Sequence, residues 1–165
     1  ICKENNVQAI TTLIDPEIEL LSKNRDLFLQ HDILPLCPER KTAARCFDKF
    51  EFYKYLTSNG IRTVLSYDSV TSFEEGLKKG DISFPVFIKP ISGSGSVGIH
   101  KVQSLEELRK YFDEGAYTYI IQEFMDCDDC DADVYIDTIS HEPVAVFSKR
   151  KLETKIGGAS QTNSF

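Results

Sequence analysis

The chain has 165 residues, with 19 Lys and Arg against 26 Asp and Glu for a formal charge of −7, and 41% of it is hydrophobic. That is the composition of about one globular domain. A balance this acidic, without a run of Lys or Arg, argues against a nucleic-acid partner, whose grip depends on neutralising backbone phosphates, and no stretch approaches the roughly 20 apolar residues of a bilayer span.

In chain order, Val7, Ala9, Ile10, Leu13 and Ile14 mark a strand over 6–15 that runs into Asp15-Pro16-Glu17. Asp15 suits a helix N-cap, Pro16 the first helical position and Glu17 the positive end of the helix dipole. Ile18, Leu20, Leu21, Leu27 and Phe28 recur at near-heptad spacing through the helix that follows, and a short strand is expected over 33–36. Strand, helix and strand here make half of a parallel α/β unit without neighbours to complete its sheet. Beyond Pro35 and Pro38, Phe52, Tyr55 and Leu56 predict an amphipathic helix that stops at Asn59-Gly60.

Residues 63–67 read as the next strand. Ser72-Phe73-Glu74-Glu75 is a capping box opening a short helix, and 84–89 returns as a strand. Ser104-Leu105-Glu106-Glu107 is a second capping box, with Leu105, Leu108 and Phe112 on one apolar face of its helix. Three strands close the chain, over 119–124, 131–139 and 143–152, and the polar stretch 157–165 is expected as a mobile loop. Nothing after these strands covers their faces, so both ends of the chain read as cut.

The opening residues lack the basic and apolar regions of a signal peptide. The five cysteines, Cys2, Cys37, Cys46, Cys127 and Cys130, are odd in number and scattered, which fits a reducing, cytoplasmic setting better than a disulfide framework. Cys127 and Cys130 have C-x-x-C spacing, but the second ligand pair of a zinc site is missing. Asp131, Asp133 and Asp137 alternate with Ala132, Val134 and Ile136, which puts carboxylates on one face of a strand. Oxygen ligands suit magnesium, yet pairing with Lys149, Arg150 and Lys151 on the following strand is the stronger reading. No metal ligand is assigned.

The most informative stretch runs from Phe84 to Val102 and places Gly93, Gly95 and Gly98 with Ser92, Ser94 and Ser96 between two apolar strands. Glycine permits positive φ and close backbone approach, and successive N–H groups and hydroxyls can donate to an anion. The three glycines match G-x-G-x-x-G. A dinucleotide fingerprint needs a helix starting inside the loop, whereas the next helix opens at Ser104. A P-loop needs Gly-Lys-Ser/Thr at its end, and a kinase has its glycine loop before its lysine, not after it. Two readings stay open: a hairpin closing over a triphosphate above Lys89, or a solvated hairpin with a surface lysine.

Four segments together resemble the ATP-grasp superfamily, and within it the carbamoyl-phosphate synthase large subunit and its relatives. Asp15-Pro16-Glu17 with Leu21, Arg25 and Phe28 is similar to the domain that precedes the grasp fold. Phe47-Asp48-Lys49 is similar to the Asp-Lys that opens it, Pro85 to Gly98 to the lysine strand and phosphate loop, and Ile121-Gln122-Glu123-Phe124-Met125 to the adenine hinge. The resemblance implies an incomplete α/β (α+β) ATP-grasp fold: a partial Rossmann-like pre-ATP-grasp domain over 1–41, the small lobe with phosphate loop and hinge over 42–124, and the start of the large lobe over 125–165.

It also implies the site. Lys49 and Lys89 would contact the ATP phosphates, with Ser92, Gly93, Ser94, Gly95, Ser96 and Gly98 forming the loop over them. The main chain of Glu123 and Met125 would meet adenine, with Phe124 between them. Asp129 stands where the family usually has a Glu holding the ribose hydroxyls, and Cys127 where a Gly is usual. Arg150, before the glycine turn at Gly157-Gly158, would line the substrate side. Lys89 and Arg150 are thus the candidate catalytic residues. The expected cofactors are ATP and Mg²⁺, with the metal ligands beyond residue 165. The implied partners are a small carboxylate or bicarbonate and an amine, joined through an acyl phosphate, although this segment alone is expected to be inactive. The alternative is a nucleotide-binding module that performs no chemistry.

Overall fold

In the computed structural model, which describes residues 1–137, 139–155 and 158–164, the first apolar run yields only a two-residue strand, β1 (Ala9–Ile10). Helix α1 (Asp15–Lys23) starts one residue earlier than the Asp-Pro-Glu signal predicts. Ile14 is its N-cap, Asp15 is already helical, and no side chain caps the end. Thr12 does the local work instead, donating to Glu17 Oε2 at 2.6 Å and accepting from the Ile14 N–H at 3.2 Å.

The expected single helix breaks at Asn24, whose Nδ2 donates back to Leu20 O at 2.8 Å. Leu27 and Phe28 therefore lie on a separate short helix, α2 (Arg25–Leu29). Strand β2 (Leu34–Pro35) pairs in parallel with β1, giving the expected β-α-β connection. Arg25 Nη1 donates to the carbonyls of Pro35 and Cys37, each at 3.0 Å, and so ties α2 to the chain at β2.

Helix α3 (Arg40–Phe47) carries too few apolar residues to show in the pattern; α4 (Lys49–Ser58) follows after one residue. That residue, Asp48, accepts from the N–H groups of Phe50 and Glu51 at 2.9 and 2.8 Å, a cap of about 1 kcal/mol. The apolar row of α4 is not buried: Phe52 and Tyr55 keep 39% and 40% exposure, and the Arg45 guanidinium lies over the Tyr55 ring at 3.9 Å. These elements make one compact unit, Ile1–Ile61, and the rest of the chain makes a second, Arg62–Phe165.

In the second unit the predicted strand over 63–67 shortens to β3 (Ser66–Tyr67). Helix α5 (Val70–Lys79) is capped by Ser69, one turn ahead of the expected box at Ser72: the Ser69 hydroxyl accepts from the Ser72 N–H at 3.2 Å. The earlier start lets α5 bury Phe73 and Gly76. At Gly76 a side chain would run into the Tyr67 ring, so the glycine lets β3 and α5 pack closely.

Strand β4 (Val86–Pro90) and β5 (His100–Val102) flank the glycine loop, and α6 (Leu105–Glu114) and β6 (Tyr119–Glu123) follow. Ser104 caps α6 as expected, accepting from the Glu107 N–H at 3.2 Å, while the Glu107 carboxylate accepts from Gln103 rather than from Ser104 itself. The sheet order is β3-β6-β4-β5, antiparallel throughout. One sheet face meets α5 and α6 in a core of Phe73, Ile82, Val86, Ile88, Val102, Leu108, Tyr119 and Ile121. Each large side chain buried there is worth about 1.5–3 kcal/mol.

Strands β7 (Cys130–Ile136), β8 (Pro143–Lys155) and β9 (Gly158–Ser164) form a separate antiparallel sheet. Strand β7 ends before 139 because the Asp137 carboxylate accepts from the N–H groups of Ile139 and Ser140, at 3.2 and 2.6 Å, and turns the chain. The same bonds, Ser140 foremost, hold the Asp137 carboxyl below the usual carboxylate range. The expected mobile loop is instead a strand. Residues 158–164 pair with β8, with Lys149 opposite Ser164 and Lys151 opposite Thr162; polar side chains do not prevent ladder formation, since main-chain groups supply it. Of the expected glycine turn, Gly157 lies outside the described residues and Gly158 opens β9. Val134 and Val146 face each other across β7 and β8 and stay more than half exposed, at 51% and 67%.

Candidate functional site

Strand alternation sorts β4 into two faces. Val86 and Ile88 are fully buried against the helices, and Phe87 and Lys89 point to the opposite side, as the period of two requires. There they line a cleft of about 390 Å³, a size suited to a small ligand. Its apolar walls are Val64, Phe87, Ile99 and Met125, and its polar groups are Lys89, Gln122, Glu123 and Asp129.

The loop from β4 to β5 starts at the cleft's lysine. Gly93, Gly95 and Gly98 have φ of 121°, 73° and 72°, and Ser96 joins them at 59°. Ser92, Gly93, Ser94, Gly95 and Ser96 are exposed. Gly98 is the seat of the loop, because a Cβ there would lie 3.0 Å from both Pro90 Cγ and Tyr117 Cε2.

Glu123 closes β6. Its main-chain N–H donates to Leu65 O at 3.0 Å and its Oε1 accepts from the Leu65 N–H at 3.0 Å. Phe124 leaves the cleft wall to pack on Phe87, with centroids 5.1 Å apart. Asp129 is held by Lys151, whose Nζ lies 3.1 Å from both Asp129 Oδ2 and Asp131 Oδ1. These two bonds, Asp129 first, raise the Lys151 ammonium above the ordinary lysine range.

The expected cross-strand pairing is present for two of the three carboxylates: Lys149 meets Asp133 at 2.7 Å and Lys151 meets Asp131, whereas Asp137 turns the chain instead and Arg150 reaches Asp128, ahead of β7, at 3.4 Å. Among the described residues no three His, Cys, Asp or Glu side chains come together as a metal-holding group. Cys127 and Cys130 are exposed free thiols.

Lys89, Glu123, Met125 and Asp129 thus share one cleft, with the glycine loop rising from its edge, whereas Arg150 is engaged at the start of the second sheet. Lys49 belongs to the other unit, in the first turn of α4. Partial burial pulls its ammonium below the ordinary lysine range, against the opposing pull of Asp48 and then Asp15. That unit has a cavity of about 400 Å³ near Cys2, Leu27, Phe28 and His31, which contains none of the expected site residues. Sequence reasoning missed Gln122, Ser66 and Lys101. Gln122 is a polar residue directly after the apolar run Tyr119-Ile120-Ile121, a visible signal, but its partner Ser66 lies 56 residues away in sequence.

Comparison with known proteins supplies the family. Residues 53–152 match the D-ala D-ala ligase C-terminus family. An uncharacterised Mycoplasma genitalium protein, MG011, is 33% identical over 69% of this chain and 34% of its own length. The alpha-aminoadipate–LysW ligase LysX of Sulfurisphaera tokodaii is 29% identical over 66% of this chain and 40% of its own. The chain therefore spans between a third and two fifths of these relatives. Among solved structures, the biotin carboxylase domain of Hydrogenobacter thermophilus 2-oxoglutarate carboxylase, in complex with MgADP, ADP and bicarbonate, superposes with a TM-score of 0.72 at 17% identity, covering 96% of this chain and 37% of that one. The mixed α/β architecture, the glycine hairpin after a lysine strand and the match over more than half of the sequence agree: the chain belongs to the D-ala D-ala ligase C-terminus family of the ATP-grasp superfamily.

Proposed function

We propose that this chain carries the nucleotide-binding part of an ATP-dependent carboxylate–amine ligase. The observation that carries the reading is one cleft gathering Lys89, Glu123, Met125 and Asp129 between apolar walls. In this reading Val64, Phe87 and Ile99 flank a purine and the main chain of Glu123 and Met125 meets its edge. The Glu123 N–H is already used by Leu65, so its carbonyl makes the base contact. Asp129 accepts from the ribose hydroxyls while sharing its carboxylate with Lys151.

Lys89 and the donors of the Ser92 to Gly98 loop hold the triphosphate, the lysine through a charge-assisted bond of about 1.5–3 kcal/mol. Arg150 stays on the acceptor side. The division into a pre-ATP-grasp part (1–41), small lobe (42–124) and start of the large lobe (125–165) belongs to the same reading, as does a cytoplasmic setting; no helix among the described residues is long and apolar enough to cross a membrane.

ATP, a substrate here, supplies the phosphoryl group that activates a carboxylate as an acyl phosphate for displacement by an amine. The chain's residues bind, orient and neutralise charge, which is most of what phosphoryl transfer asks of a protein. The acidic row of β7 does not fit a magnesium site, because Lys149 and Lys151 already occupy Asp133 and Asp131. No step is routed through the metal. The finer form, use of bicarbonate as in carbamoyl-phosphate synthase, rests on the motif resemblance, while the alpha-aminoadipate ligase among the relatives favours an amino-acid carboxylate equally.

Calorimetric titration of Mg-ATP into the chain and into Lys89→Ala tests the reading. Loss of one such bond predicts binding at least ~10-fold weaker in the variant, and equal affinities would remove the central assignment. Steady ADP release by the chain across a panel of small acids and amines would exclude the alternative of a module that only binds nucleotide.

A further inference from the structure

The end of β6 and the residues just after it carry the proposed base contacts, and a side chain from another strand holds them in place. Lys101, on β5, puts Nζ 3.7 Å from the centroid of the Phe124 ring. Phe124 packs on Phe87 with ring planes tilted by 58°, and Phe87 is the β4 residue directly opposite Lys101 in the β4–β5 ladder. The cation and the second ring thus come from paired positions on neighbouring strands, and both touch the ring of Phe124. Phe87 in turn lines the cleft together with Glu123 and Met125.

A ring in contact with both a cation and a second ring loses freedom about its side-chain torsions, and the peptide groups attached to its Cα lose freedom with it. Those groups join Phe124 to Glu123 on one side and to Met125 on the other. Holding Phe124 therefore holds both peptide units in one orientation beside the cleft. The Leu65–Glu123 bonds fix the β6 side of this segment, and on the far side the Lys151 N–H donates to Asp129 O at 2.8 Å; Phe124 anchors the stretch between these two ties.

We propose that Lys101 is a positioning residue for a nucleobase: by holding Phe124 in its place against Phe87 it presets the main chain of Glu123 and Met125 for the hydrogen-bonding edge of a purine. This rests on the nucleotide-binding reading and adds to it a residue that touches neither base nor phosphate. Its contribution is preorganisation, which raises affinity by removing an ordering cost from the binding step. An exposed cation–aromatic contact of this kind corresponds to roughly a two- to five-fold change in a binding constant.

Two probes separate base from phosphate: Mg-ATP and magnesium tripolyphosphate, each titrated into the full chain, Lys101→Met and Lys101→Arg, with thermal unfolding of all three. Lys101→Met is expected to bind Mg-ATP about three-fold more weakly and tripolyphosphate unchanged, with Lys101→Arg restoring Mg-ATP binding because a guanidinium also stacks on a ring. Unchanged Mg-ATP binding in Lys101→Met overturns the proposal. Equal weakening of both probes also overturns it, in favour of a phosphate contact, or of a folding defect where the melting temperature falls as well. A parent chain that binds no Mg-ATP overturns the nucleotide-binding reading itself, an outcome distinct from these.

Discussion

Gln122 Nε2 donates to Ser66 Oγ at 2.7 Å, and both side chains are buried. The Ser66 hydroxyl donates onward to Val64 O at 3.0 Å, so a chain of two hydrogen bonds links β6 to β3 through residues that also line the cleft at Val64 and Gln122. An apolar pair could fill the same space, but its packing would specify the pairing of a two-residue strand less tightly than directional bonds do.

Ser66→Ala removes the acceptor and leaves a buried amide N–H without it, which costs about 1–3 kcal/mol. Gln122→Leu costs less, because the Ser66 hydroxyl keeps Val64 O. The double variant Ser66→Ala/Gln122→Leu is expected to be more stable than the sum of the single changes implies, since neither group is then left unpaired. Urea unfolding of the four proteins reads the coupling. Strict additivity would show that the two side chains do not act as a pair.

The glycine loop offers a second test. Gly98 combines a φ of 72° with a Cβ position 3.0 Å from Pro90 and Tyr117, so Gly98→Ala meets both backbone strain and crowding, and about 1–3 kcal/mol of stability is expected to be lost. Gly80 has a similar φ of 77° and open space around its Cβ position, so Gly80→Ala meets the backbone term alone and should cost less. Thermal unfolding of the two variants ranks them; an equally costly Gly80→Ala would mean that the packing at Pro90 and Tyr117 is not what seats the loop.

Much of this was legible in the residues, for identifiable reasons. The faces of β4 follow from alternation, which is local, and the Ser104 cap from a three-residue spacing. The Ser69 start of α5 was not legible, because Ser69 and Ser72 are both good caps and only the burial of Phe73 and Gly76 on the sheet chooses between them. The strand at 158–164 was hidden for a related reason: its side chains carry no apolar pattern, and its partner β8, not its own composition, makes it a strand. The cleft was half legible. Lys89 and Glu123 belong to recognisable motifs, whereas Lys101 and Ser66 acquire meaning only through contacts with Phe124 and Gln122.

Lys151 provides the pH-dependent test. Its side chain is 15% exposed and bridges Asp129 and Asp131, themselves 61% and 38% exposed, so each pair is worth only a fraction of a kcal/mol, and Lys151→Met is expected to cost about 1 kcal/mol at low salt. That cost should shrink as salt is added. The bonds to Asp129 and Asp131 raise the folded-state pKa of Lys151 above its unfolded value. The stabilisation is therefore complete below the unfolded lysine pKa of about 10.4 and disappears as pH climbs through the higher folded value. Urea unfolding of both proteins from pH 7 to pH 11 should show a constant gap that closes only at the alkaline end. A gap that survives both high salt and alkali would assign the role of Lys151 to packing of its methylene stem against β7, and not to the charge shared by Asp129 and Asp131.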